Sequence, residues 1–148
     1  MKYCVASLAL CLLASCDYLH SVERSTPVGK AFDVGAVERW IVAWPGYCAA
    51  GSGPWDGEIM WHRVERDDGH ACLVYYDNVL RVWSSDLGPI SDVELRGWLR
   101  VQDSLIEALV AHFESLPPRS EWITTDGFMR EQLAAMGIVS ADHSTLGH

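Results

Sequence analysis

The chain has 148 residues, the size of one domain, and 49% of them are apolar, which supports a packed core and argues against intrinsic disorder. Twenty acids against eleven Lys and Arg give a net charge of −9, which argues against nucleic acid as the main partner, because phosphate binding needs a basic face. No apolar run approaches the ~20 residues that cross a bilayer.

In chain order, Lys2 supplies a minimal positive start, and Val5 to Ala14 is a ten-residue apolar stretch with the length of a signal-peptide core. It ends in Leu13-Ala14-Ser15-Cys16. Over residues 1–16 this resembles the lipobox of bacterial lipoproteins: an aliphatic residue, two small residues, then Cys. The resemblance implies export, diacylglycerol on the Cys16 thiol, cleavage after Ser15, and acylation of the new amino terminus. Two or three acyl chains, at ~0.8 kcal/mol per buried methylene, anchor a protein stably to a membrane that it does not cross. The implied compartment is the periplasm. Asp17 resembles an inner-membrane retention signal; without that role the anchor belongs to the outer membrane. Read without the resemblance, the segment is an ordinary cleaved signal peptide or a buried terminal element.

Export simplifies the cysteines. Cys4 and Cys11 leave with residues 1–15 and Cys16 carries lipid, so Cys48 and Cys72 remain. In an oxidising compartment two such residues are expected to pair, and closing a loop of about 25 residues contributes roughly 3.5 kcal/mol in the chain-entropy model. The rival reading, a zinc site, prefers paired Cys two to four residues apart.

Residues 16–32 read as the lipid-bearing Cys and a tether, on Ser21, Ser25, Thr26, Pro27 and Gly29. One globular domain is expected over 33–139, with a polar tail at 140–148. Asp33 caps a short helix reaching Trp44, with Val37, Ile41 and Trp44 on one stripe and Pro45-Gly46 as its stop. Cys48 to Gly57, dense in Gly and Pro, reads as a loop. From Glu58 to Ser85, three extended runs divided at Asp68-Gly69 and Asp77-Asn78 predict a three-stranded antiparallel meander. Tyr76 is set opposite Val79, Leu73 opposite Val82, and Val64 opposite Leu73. One face then holds Met60, His62, Val64, Leu73, Tyr75, Leu80 and Val82; the other holds Trp61, Cys72, Val74 and Trp83. Both are partly apolar, so each needs a cover. The short helix and the Cys48 segment are assigned to the Cys72 face. A long amphipathic helix is assigned to the other: Ser91 to Glu94 is a capping box, and Leu95, Trp98, Leu99, Leu105, Ile106, Leu109 and Phe113 keep helical spacing. Pro117-Pro118 ends it. A short C-terminal helix from Thr125 or Asp126 carries Met129, Leu133 and Met136 and closes at Gly137. The fold class is α+β: short helix, three-stranded meander, long helix, short helix.

No catalytic constellation emerges, and neither a metal site nor a cofactor is expected. His62 points to the helix side, away from Asp67 and Asp68 at the turn, so these do not converge on a metal. Asp56 and Glu58 beside Trp55 and Trp61 are the only carboxylates near aromatics that suit glycoside chemistry, and twenty acids make such neighbours commonplace. The expected partner site is the loop around Trp55, with Asp67 and Asp68 as steering charges and Trp61, alongside Trp83, available to stack on sugar or protein. The expected role is a membrane-anchored periplasmic binding protein without catalysis, such as an inhibitor or immunity protein against a basic envelope-targeting enzyme. The alternatives are an accessory of an envelope or secretion assembly, and a cell-wall-binding or wall-cleaving protein.

Overall fold

A computed structural model describes residues 20–139. The signal segment, Cys16, Asp17 and the tail 140–148 lie outside them. The chain folds as α+β, but its sheet has six strands rather than three: β1 (His20–Pro27), β2 (Tyr47–Gly53), β3 (Ile59–Arg66), β4 (Gly69–Tyr76), β5 (Val79–Asp86) and β6 (Ile123–Gly127). All neighbours are antiparallel, in the order β2-β3-β4-β5-β1-β6. The helices are α1 (Val34–Ile41), α2 (Asp92–His112) and α3 (Arg130–Ala135).

Residues 20–27 of the expected tether are therefore a strand. β1 lies between β5 and β6, with Glu23 opposite both Trp83 and Thr125. Its inward residues are Val22, Arg24 and Thr26, all buried. Arg24 tolerates that position because it bonds to Asp103 of α2, which Arg119 also holds at 2.7 Å. Gln102 of α2 is fully buried and donates to the Val22 carbonyl at 3.0 Å and to Ser84 Oγ at 2.9 Å. Two adjacent α2 residues thus fasten β1 to the helix.

Within the meander, β4 and β5 pair in the expected register, and Asp77 and Asn78 both take positive φ, as a two-residue type I′ turn requires. The first hairpin turns one residue earlier than expected, at Asp67-Asp68, so Val64 faces Ala71 and His62 faces Leu73. The slip is two residues in pairing, an even number, so every side chain keeps its face. Gly69 is not the turn residue; it is small because α2 crosses here. A Cβ on Gly69 would lie 2.7 Å from the Gly97 carbonyl carbon, and one on Gly97 would overlap the Asp68 carbonyl oxygen.

The expected loop at Cys48 is half strand. β2 pairs with β3 through an irregular stretch in which Ser52 Oγ donates to the Cys48 carbonyl at 2.6 Å and accepts from the Arg63 N–H at 3.1 Å. Gly53 lies under the Trp61 ring, which a Cβ would overlap. At the other end, β-branched Ile123-Thr124-Thr125 extends as β6, so α3 starts at Arg130, five residues later than Thr125. Its expected inward residues Met129 and Leu133 are fully buried, and Gly137 takes φ +72 just past its end.

α2 follows its capping box, and α1 follows its Asp33 cap, but the two cover the same side. Val34, Val37 and Ile41 share a core with Met60, Leu73, Leu80, Val82, Leu105, Ile106 and Leu109. A second core joins Val22 to Leu95, Trp98, Leu99, Met129 and Leu133. The sheet residues of both cores thus point to the helices.

The close approach of α2 to the first hairpin makes a sign-reversing test. In an unobstructed helix Gly→Ala adds about 1 kcal/mol of stability. Gly97→Ala instead is expected to destabilise by about 1–3 kcal/mol, from backbone overlap, measured as a lower urea midpoint at unchanged m-value.

Candidate functional site: the open sheet face

The face away from the helices carries, across the strands, one row of Cys48, Arg63, Cys72, Trp83, Glu23 and Thr125, and beside it Trp61, Val74, Arg81, Ser25 and Ile123. None of these residues is buried. Trp61, Val74 and Trp83 belong to neither core, and no helix among the described residues covers them. The expectation that α1 covers this side fails because its apolar stripe joins the α2 layer. The charges of the face balance locally: Arg81 Nε lies 3.6 Å from Glu23 Oε1 and Arg63 Nε bonds Glu65 Oε1 at 2.7 Å. Partial burial pushes the Glu23 carboxyl up, and Arg81 opposes that.

Cys48 and Cys72 both sit on this face as free thiols. The expected disulfide does not form because each pairs with Arg63 from opposite sides. Two strand spacings place their Cα atoms roughly 10 Å apart, beyond the ~7 Å that a bridge spans without backbone movement. Burial pushes the Cys72 thiol up, with Arg63 pulling it back and Cys48 adding to the rise.

The predicted partner residues do not come together. Trp55 folds back under α1: its ring stands edge-on to Tyr75 at 5.2 Å and its backbone N–H donates to Glu38 Oε2 at 2.7 Å. It packs on the main core, so it is no exposed anchor. Asp67 is exposed and Asp68 bonds Arg100 of α2 at 2.7 Å, which holds its carboxyl below the usual range. These two lie at the Arg66 end of β3 and Trp55 near the Ile59 end, some seven residues or roughly 23 Å apart. Only Trp61 stays on an accessible face. Asp56 accepts from the Glu58 and Ile59 N–H groups, which hold its carboxyl low, whereas a general acid for glycoside cleavage needs a raised one.

Sequence reasoning missed one polar cluster. His62, only 2% exposed, faces the helices, with Nδ1 3.3 Å from the Tyr47 hydroxyl and Nε2 3.8 Å from Glu38 Oε1, too far for a hydrogen bond. The pair has the look of a base and its orienter, but the ring is closed off and offers no atom to a substrate. Glu38 shares the inward stripe of α1, four residues after Val34, where spacing alone would place an apolar side chain. Among the described residues no group of three His, Cys, Asp or Glu converges to hold a metal. His70 bonds the Ser85 carbonyl at 3.2 Å and meets Trp98 edge-on.

No family model matches the chain, and neither a curated protein nor a solved structure matches it.

Two expectations follow from these environments. Trp55→Ala removes a half-buried ring from the core and is expected to cost about 2–3 kcal/mol in urea unfolding, less than the 3–5 of a fully buried Trp. Burial lowers the pKa of His62, against the pull of Glu38, and burial with Arg63 lowers that of His70. Their unfolded values stand near ~6.5, so on acidification the unfolded chain takes up protons first. Stability is expected to be level at alkaline pH, to fall as pH drops through about 6.5, and to level off below the depressed folded values. Urea midpoints between pH 8 and 5 check this, with a shallower fall in His62→Gln.

Proposed function

We propose that the chain is a membrane-anchored periplasmic binding protein without catalysis, of the inhibitor or immunity kind, that captures a basic envelope-targeting enzyme on its open sheet face. The observation that carries the reading is the position of Trp61, Val74 and Trp83, all half-buried, on a sheet face that no described helix covers and outside both cores. Tryptophan on such a surface is the side chain most often responsible for binding energy. The lipobox over residues 1–16 supplies the anchor, and the net charge of −9 supplies a field that draws in a basic partner. Since Arg63 and Arg81 balance Glu65 and Glu23 on the face itself, that field acts on encounter and the aromatics act in contact.

The test uses tagged full-length chain, extracted from membranes in mild detergent. One stoichiometric basic protein is expected to co-purify, and Trp61→Ser with Trp83→Ser is expected to weaken its capture by the folded chain by more than ~2 kcal/mol, roughly thirtyfold, with urea unfolding giving the folded fraction to which capture is normalised. Equal capture by the double variant removes the open face from the proposal. Retention of peptidoglycan alone favours a wall-binding protein, and a large complex favours an assembly accessory. Cys16→Ala is expected to abolish lipid labelling and release the chain to the soluble periplasm; a variant that stays membrane-bound refutes the anchor.

A further inference from the structure

β1 begins at His20, which pairs with Asp86, the last residue of β5, while Ser21 pairs with Gly127, the last residue of β6. The residues that follow those two strand ends are Leu87, 80% exposed, and Phe128, 64% exposed. Val93, 75% exposed, lies in the first turn of α2 immediately beyond. Gln132 of α3 ties this corner together by donating to the Ile90 carbonyl and to Asp92, both at 2.9 Å. Leu87, Val93 and Phe128 are the three most exposed large apolar residues described, and all three sit at this one end. Phe128 also takes φ +59, a conformation that bulky residues seldom adopt, and its ring lies 5.9 Å from that of His20.

We propose that this end is a membrane-contacting rim, in which Leu87, Val93 and Phe128 seat in the interface of a zwitterionic bilayer beside the lipidated Cys16. The inference rests on the lipoprotein reading above. Three residues separate Cys16 from His20, and at ~3.3–3.6 Å per residue the first residue of β1 stays within ~14 Å of the acylated Cys. Apolar side chains held that close to the bilayer gain from entering it. Asp86, Asp92 and Glu94 share the corner, so an anionic surface would repel it, which is why the occupant is zwitterionic lipid. The domain then stands end-on, with the turn Asp77-Asn78 pointing away from the membrane and the open sheet face unobstructed along its side.

The test places a photoreactive benzoylphenylalanine in the full-length chain at Leu87, at Phe128, or at the exposed Tyr76 beside the far turn, in intact membranes. After irradiation, phospholipid adduct masses are expected at 87 and 128 and absent at 76, with Cys16 carrying its acyl mass in all three samples. Protein adducts at 87 and 128, or lipid adducts no more abundant there than at 76, overturn the rim while the acyl mass leaves the anchor standing. Absence of acyl mass on Cys16 overturns the anchor and the rim with it. Thermal unfolding of each variant confirms that the readout comes from folded protein.

Discussion

The fold depends on how α2 grips β1. Gln102 and Asp103, adjacent on α2, both reach β1: Gln102 bonds the Val22 carbonyl and also Ser84 of β5, and Asp103 bonds the buried Arg24. Burial and the nearby Arg119 pull the Arg24 guanidinium down to about 10, so Asp103 is what keeps that charge tolerable inside. Once β1 is held, β6 has a partner, and the second core around Val22, Trp98, Met129 and Leu133 has a floor. Without β1 the sheet would end at β5.

That dependence also explains what the sequence hides. The β4–β5 hairpin, the α2 capping box and the α1 cap are written in local chemistry and are legible from it. β1 is not, because its inward positions read Val-Arg-Thr and its Arg becomes an interior residue only through Asp103, 79 positions away. The polar Gln102 on the otherwise apolar stripe of α2 is the one visible trace of it. β2 is obscured by glycines that read as a loop; Gly53 is small because Trp61 lies over it. Gly69 was open to the same misreading, since close approach to α2 and turn formation select the same residue.

The site was legible in part. The alternation that sorts Trp61 and Trp83 onto one face survives the two-residue slip in pairing, since an even shift cannot exchange the faces. What spacing does not reveal is which face the helices choose. α1 and α2 both take the Met60–Leu73 side, leaving the tryptophans uncovered, and Trp55, prominent in a Gly/Pro context, turns inward because Glu38 captures its backbone N–H. Cys48 and Cys72 illustrate the same limit: sharing a face is not adjacency, and the intervening Arg63 decides the matter.

The position of β1 has a consequence for the order of events in the chain's life. Ribosomes make it before both of its partners, yet β6 is complete only at Gly127, about a hundred residues after Pro27. At roughly 5–20 residues per second, the strand waits on the order of 5–20 s for its second neighbour. Pairing across such separations also closes slowly. The sheet therefore cannot close before Gly127 has been made, and until then the edge of β1 that faces away from β5 has no partner strand.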